Sequence, residues 1–157
     1  MPSVTNYKDW VLTLYVALVF AQSAWHKLIA HADINYLFNN RLDSWAAVMG
    51  FAGTFSTGGA LNAQVIGRFE MLASVALVVG LMVQTQPWIR TVGACIVMAI
   101  SSGQLFFHVF TPLGLVVHYD GASSDHGLPF VLACSTLLIS AWVLWRQTLG
   151  AMEERRI

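Results

Sequence analysis

Four long apolar segments, separated by shorter polar connections, dominate the chain. They cover about residues 10–30, 61–83, 88–110 and 127–147. Each is long enough to cross a hydrocarbon core about 30 Å thick as a helix. Backbone groups in hydrocarbon must bond within their own segment, and no period of two is sustained, so the pattern favours helices over a barrel. We predict an all-α fold, a transmembrane four-helix antiparallel bundle formed by residues 1–157 as a single membrane domain.

The first connection, about residues 31–60, is the longest and has an apolar pattern of its own. Asp43 and Ser44 precede an apolar run from Trp45 to Phe51, which predicts a short helix with one of these two residues as its N-cap. An apolar helix this short is expected to lie at the membrane interface or to fold over the mouth of the bundle. The tight second connection predicts an antiparallel hairpin of the second and third spans.

Composition agrees with a membrane protein and excludes several other classes. Hydrophobic residues make up 57% of the chain and charged residues 10%, whereas a soluble domain carries about 25% charged residues. The net charge is zero and there is no basic run, so no nucleic-acid partner is expected. Cys95 and Cys134 have no CxxC spacing and lie at different predicted depths, so we expect buried thiols rather than a disulfide.

The distribution of basic residues predicts the orientation. If both termini are cytoplasmic, the inner side carries five of them: Lys8, Arg90, Arg146, Arg155 and Arg156. The outer side then carries Arg41, with Lys27 near the end of the first span. The positive-inside rule therefore favours an N-in, C-in protein of a bacterial-type inner (plasma) membrane. Ala30-His31-Ala32 fits a signal-peptide cleavage site, but the preceding apolar run is long for a signal peptide, so we expect a spanning helix.

Polar side chains inside three of the spans are the main candidates for function. A charge at the centre of a spanning helix costs about 2.5–3.5 kcal/mol, so such groups usually face the bundle interior and a partner. From their positions along the spans, six are predicted in the outer half: His26, Lys27, Arg68, Glu70, Gln104 and His108. The inner half is predicted to hold no ionisable group.

Partners for the two charges of the second span follow from helix geometry. Arg68 and Glu70 lie about 200° apart around the helix and do not face each other. We expect Glu70 to pair with Lys27 or His26, and Arg68 to turn to a loop carboxylate or to headgroups. This group of residues is compatible with a structural ion-pair network and with a binding site for an anionic or quinone-like ligand.

The last connection carries potential metal ligands: His118, Asp120, Asp125 and His126. Their spacing matches no strict metal motif, and Asp125 would equally serve as N-cap of the fourth span. His26 and His108 lie at similar predicted depth on two spans, as bis-imidazole haem ligation would require. The pair lies near the surface among charged neighbours, which disfavours haem. We therefore expect neither metal nor haem. The residues are compatible with a quinone, but the sequence leaves the cofactor open.

Short motifs in these spans resemble those of the DoxX-like family of small four-helix membrane proteins. They are SAWHKL at 23–28, GRFE at 67–70, Arg90 after the tight turn and His108 near the end of the third span. The resemblance covers about residues 10–147. It implies that Lys27, Glu70 and His108 occupy positions that the family tends to keep polar. Some members form the membrane subunit of a thiosulfate:quinone oxidoreductase, and others are linked to redox and thiol-stress complexes.

Three functions are compatible with these observations. The first is an accessory or anchoring subunit of an outer-facing, quinone-linked redox system with a partner protein. The second is a quinone-reactive membrane subunit of an oxidoreductase of the thiosulfate:quinone type, in which Glu70 or His26 exchanges protons. The third is a small-solute transporter, which the predicted lack of polar groups in the inner half disfavours. The sequence leaves open whether the protein is catalytic and whether it forms oligomers.

Overall fold

The computed structural model describes residues 7–83, 85–119 and 124–154, with side chains described up to residue 148. Within these ranges the chain is helical, with no β-strand. In order, its helical segments are α1 (Tyr7–Leu28), α2 (Ala32–Tyr36), a π-helical segment (Leu37–Leu42), α3 (Asp43–Val48), α4 (Ala63–Met82), α5 (Pro87–Phe110) and α6 (Leu128–Glu154).

Helices α1, α4, α5 and α6 are long and apolar enough to cross a membrane, which confirms the four predicted spans. They pack in the order α1, α4, α5, α6, and α6 returns to α1. The bundle therefore has two ends. The termini end is where α1 begins and α6 ends, and the connection end carries the α1–α4 and α5–α6 connections.

The starts of α4 and α5 follow local sequence signals. The Asn62 side chain accepts a hydrogen bond from the Val65 N–H at 2.9 Å and caps α4. Pro87 occupies the first turn of α5, where its missing N–H costs nothing. These two signals fix where the two helices begin, and α4 and α5 pack as the predicted hairpin.

Two apolar clusters fill the interior. The central cluster includes Phe20, Leu77 and Val97, and fully buried alanines at positions 24, 73 and 94 let the helices approach closely. The second cluster joins the first connection to the bundle at the connection end, and its buried members are Phe38, Leu42, Ala46, Phe55 and Ala63. The first connection is thus part of the core and covers this end of the bundle.

The helix predicted in the first connection is present, but its predicted cap is wrong. Leu42 has helical dihedral angles, so the chain runs from the π segment into α3 without a capping residue. The Asp43 carboxylate instead accepts the backbone N–H groups of Phe55 (2.9 Å), Gly53 (3.1 Å) and Ser56 (3.2 Å). These bonds, the one from Phe55 foremost, lower the pKa of Asp43. They also hold the turn that directs Phe55 into the second cluster.

The two cysteines differ from the expectation of buried thiols. Both are free, but Cys95 is exposed on the surface of α5 and Cys134 is half-buried. A small apolar side chain costs little at a lipid-facing position, which accounts for the exposed thiol.

Candidate functional site

A buried ion pair joins α1 to α4 near the connection end. The Lys27 Nζ donates to both carboxylate oxygens of Glu70 at 2.9 Å and to the Ser23 Oγ at 2.5 Å. Glu70 is fully buried and Lys27 is 6% exposed. The predicted partner of Glu70 on the first span is therefore Lys27, and each charge is satisfied inside the bundle.

Gly67 explains how the two helices come close enough for this ion pair. It lies one turn before Glu70 on the same face of α4. A methyl group at this position would stand 2.9 Å from the Lys27 Cβ and 3.3 Å from the Ala24 carbonyl oxygen. Only a residue without a side chain allows this approach, which shields the ion pair from lipid.

Helix α5 adds two polar side chains. The Gln104 Nε2 donates to the Glu70 Oε1 at 3.3 Å. His108 is 7% exposed, and its Nδ1 lies 2.7 Å from the Gly114 carbonyl oxygen, with the ring edge-on to Phe130. A carbonyl oxygen only accepts hydrogen bonds, so Nδ1 carries the proton and the Nε2 of the neutral ring is an acceptor.

These side chains border a cavity of about 190 Å³ at the connection end. A single buried water needs only about 10–15 Å³, so the space admits a small organic molecule. Most of the wall is apolar and partly aromatic: Leu37, Phe38, Phe55, Ile100, Phe107 and Leu113. The polar part of the wall is formed by Ser23, Lys27, Gln104, His108, Tyr119 and Asp125. Glu70 is not in the wall and acts on the cavity through its neighbours Lys27 and Gln104.

Asp125 and Tyr119 bring the last connection into the cavity wall. Asp125 is not the predicted N-cap, because α6 begins three residues later. Its Oδ1 accepts the N–H groups of Gly127 (2.8 Å) and Val117 (2.9 Å), while its buried Oδ2 has no hydrogen-bond partner in the described part of the chain. Burial raises the pKa of Tyr119, and the negative charges of Asp125 and Asp33 add to the shift. Tyr119 is therefore a neutral phenol that can donate.

Two residues predicted for this site lie outside it. The His26 Nδ1 bonds to the Gln22 carbonyl oxygen of its own helix at 2.9 Å, and its ring packs edge-on against His31. Arg68 is exposed and makes no hydrogen bond or ion pair with the described residues. Because His108 borders the cavity and His26 does not, the structure does not bring the two histidines to one haem pocket.

The potential metal ligands of the last connection are dispersed. His118 is exposed, and its carbonyl oxygen accepts from the Arg41 Nη2 at 3.2 Å. His126 is also exposed, and its Nδ1 lies 3.5 Å from the Ser124 Oγ. Asp120 lies outside the described residues. Among residues 7–83, 85–119 and 124–148, no group of three His, Cys, Asp or Glu side chains is placed to hold a metal ion.

The termini half of the bundle contradicts the prediction that it holds no ionisable group. Asp9 is 7% exposed, because α1 begins before the predicted span and buries it. Arg90 is half-buried nearby. With its amide oxygen turned toward Arg90, Gln147 accepts from Nε at 2.5 Å and from Nη2 at 3.2 Å, and its nitrogen faces the Thr91 hydroxyl. Because the termini half holds polar side chains, their predicted absence no longer disfavours a transporter.

Sequence reasoning did not find Ser23 and Tyr119 as members of the site. Ser23 lies one turn before Lys27 on the same face of α1, so the spacing of four residues is a usable signal. No local signal marks Tyr119, because its place in the wall depends on how the last connection folds over the bundle.

The fold and the site define a multi-pass integral membrane protein, a helical bundle with a polar-edged cavity at one end. Comparison of the chain with protein-family models, with curated proteins and with solved structures gives no match.

Proposed function

We propose that the protein is a membrane subunit of a quinone-linked redox system and that its connection-end cavity binds the quinone ring. This is the function that the resemblance to the DoxX-like family implies. The proposal is supported by the pattern of hydrogen-bonding groups in the cavity wall. It treats the ion pair as the structural support of a ligand site.

The decisive observation is that the wall offers donors and acceptors together. Gln104, Ser23 and Tyr119 can donate to a carbonyl oxygen. The His108 Nε2 and the Asp125 Oδ2 can accept from a hydroxyl group. A quinone presents two carbonyl oxygens and its reduced form two hydroxyl groups, so a site with both kinds of partner holds either form.

The apolar part of the wall suits the ring itself. The Phe55 ring is in edge-to-face contact with Phe38 and with Phe107, at ring-centroid distances of 6.4 Å and 5.3 Å. A mostly apolar pocket with a few fixed polar groups is the usual form of a small-molecule site.

Only residues that border the cavity can exchange protons directly with the ligand. Glu70 is behind the wall and neutralised by Lys27, and His26 lies outside, so neither residue meets the ligand directly. His108 fits the task, because its Nδ1 is fixed on the Gly114 carbonyl oxygen and its Nε2 is left to take a proton.

Binding of a short-chain benzoquinone to the purified protein in detergent micelles tests the proposal. Isothermal titration calorimetry should show saturable binding above that of protein-free micelles. Leu113→Trp fills the cavity and should abolish binding, whereas Leu115→Trp, at an exposed position two residues away, should retain it. Gln104→Leu should weaken binding about 2- to 10-fold through one lost hydrogen bond. Equal heats from the protein and from empty micelles would refute the quinone site.

The orientation, the membrane and the redox partner are part of the same proposal. The balance of basic residues supports an N-in, C-in protein of a bacterial-type inner membrane. A reporter enzyme fused to the C-terminus, active only outside the cytoplasm, should then be inactive.

Purification in mild detergent should recover a cofactor-bearing redox protein with the wild-type chain. Recovery of the chain alone, free of any such protein, would contradict the accessory role.

A further inference from the structure

Three buried polar atoms in the termini half have no hydrogen-bond partner in the described part of the chain. They are the Asp9 Oδ1, the Thr13 Oγ1 and the Ser140 Oγ. Their residues are 7%, 1% and 1% exposed. Buried polar groups in folded proteins are almost always hydrogen-bonded, and ordered water completes the set where protein atoms do not.

The register of α1 against α6 places the three residues at about the same level of the bundle. Asp9 and Thr13 are four residues apart and share one face of α1. The bond of 2.9 Å between the Tyr15 hydroxyl and the Ser135 Oγ fixes the register of α1 against the antiparallel α6. Five residues beyond Ser135, Ser140 falls opposite the stretch between Asp9 and Thr13, within about one helical turn of each.

The charges around Asp9 do not replace water. No Lys, Arg or His nitrogen of the described residues lies within 4.0 Å of its carboxylate. Arg90 is close enough for its charge to act on Asp9, but its guanidinium is bonded to Gln147. A buried carboxylate without a direct partner requires another source of solvation.

We infer that Asp9, Thr13 and Ser140 form a hydrated pocket that binds water and opens to the solution at the termini end. This inference goes beyond the proposed function and does not depend on quinone binding. The pocket brings water into the bundle from the end opposite the cavity. Thr136 lies one turn before Ser140 on α6, toward the connection end, and its hydroxyl group is 2.9 Å from that of Ser101. Ser101 in turn lies one turn before Gln104 on α5. Buried polar groups thus continue from the hydrated pocket toward the Glu70 ion pair.

Cysteine accessibility tests the pocket. In the full chain with Cys95→Ala and Cys134→Ala, a single cysteine is introduced by Thr13→Cys or Ser140→Cys. The matched control is Val16→Cys, on the same helix as Thr13 but inside the apolar cluster. The protein in lipid vesicles is treated with a small ammonium-bearing methanethiosulfonate, and labelling is followed by mass spectrometry. We expect both pocket cysteines to react at least 10-fold faster than the control. Equal rates at all three positions would overturn the inference.

A second measurement covers the case in which a cysteine variant does not fold. Thr13→Val keeps the shape of the side chain and removes the hydroxyl group. If the hydroxyl binds water, its loss leaves the thermal midpoint of the full chain unchanged or lowers it. If the site is dry, removing an unbonded polar atom raises the midpoint. A rise of more than about 2 °C would therefore contradict a hydrated pocket.

Discussion

The two halves of the bundle bury polar side chains in opposite ways. In the connection half, Glu70 bonds to both Lys27 and Gln104, and the Lys27–Glu70 ion pair is buried inside the bundle. In the termini half, Asp9 and Thr13 are equally buried but have no partner among the described residues. Burial alone therefore does not define a site. The first group is a preorganised network that borders a cavity, and the second requires solvent.

The difference in pairing predicts different energetic roles. Removing one member of a buried ion pair leaves an uncompensated charge in a medium of low dielectric constant. Among the described residues, Asp9 has no such partner to leave behind. We therefore expect substitutions of Glu70 and Asp9 to differ strongly in their effect on the free energy of unfolding, although both residues are buried carboxylates.

Glu70→Leu should have the largest effect, because it strands the Lys27 ammonium inside the bundle. We expect a loss of about 3–5 kcal/mol in the free energy of unfolding. The double variant Lys27→Met/Glu70→Leu should recover most of the loss, since no charge then remains buried. Denaturant unfolding in mixed micelles, followed by tryptophan fluorescence, measures both.

Asp9→Asn is the matched control in the other half. It removes a buried carboxylate that forms no ion pair with a described residue, so its cost should stay below about 1 kcal/mol, as for most substitutions that break no defined network. A loss equal to that of Glu70→Leu would show that Asp9 has a partner as close as Lys27 is to Glu70.

Gly80→Ala should cause the next largest loss of stability, and the substitution lies in the termini half. Its methyl group would stand 2.6 Å from both the backbone nitrogen and the Cβ of Arg90, so α4 and α5 must separate. Overpacking of this kind costs about 1–3 kcal/mol. Gly103→Ala on α5 meets nothing within 4 Å and should be neutral or stabilising by up to about 1 kcal/mol. Thermal unfolding measures the midpoints of both variants, and we expect that of Gly80→Ala to be the lower. Similar midpoints would mean that α4 and α5 are not in tight contact at Gly80.

Much of the fold was predictable, because length and apolarity alone determine where four spans lie. The ion pair was predictable in part. His26 and Lys27 differ by about 100° around α1, and the rotation of the helix decides which of them faces Glu70. The signal that resolves the choice is the small residues Ala24 and Gly67, which mark the contact face of the two helices.

Features that depend on boundaries or on long-range packing were not predictable. The predicted first span begins at about residue 10 and leaves Asp9 outside, yet α1 begins at Tyr7 and buries Asp9. Asp43 has the sequence signature of an N-cap, but the helix runs through it and its carboxylate holds the turn at 53–56. The cavity requires both connections to fold over the bundle, which no local pattern encodes.

A smaller effect is expected from the Ser101–Thr136 bond, which lies between the two halves. Both residues are almost fully buried, and their hydroxyl groups are 2.9 Å apart. Side-chain bonds between membrane helices contribute about 0.6 kcal/mol on average and at most about 1.7 kcal/mol. A double-mutant cycle of Ser101→Ala and Thr136→Val should give a coupling of this size. The cycle of Ser140→Ala with Thr136→Val should give none, because Ser140 makes no hydrogen bond to Thr136 or to any other described residue. An equal coupling in both cycles would contradict the direct Ser101–Thr136 bond.

The smallest expected effect appears only at high pH, at Tyr119. Burial raises the pKa of Tyr119 above its ordinary value near 10, with Asp125 and Asp33 adding to the shift. The folded protein then holds the phenol proton more tightly than the unfolded chain, so this residue's contribution to stability is complete below pH 10. It is lost as the pH rises toward the pKa of the folded state. In the near-ultraviolet titration of tyrosinate, Tyr119→Phe should remove a component that titrates above about pH 10, the ordinary value for tyrosine. Loss of a component that titrates at or below about pH 10 would mean that Tyr119 is open to solvent, and the phenol would then not belong to the cavity wall.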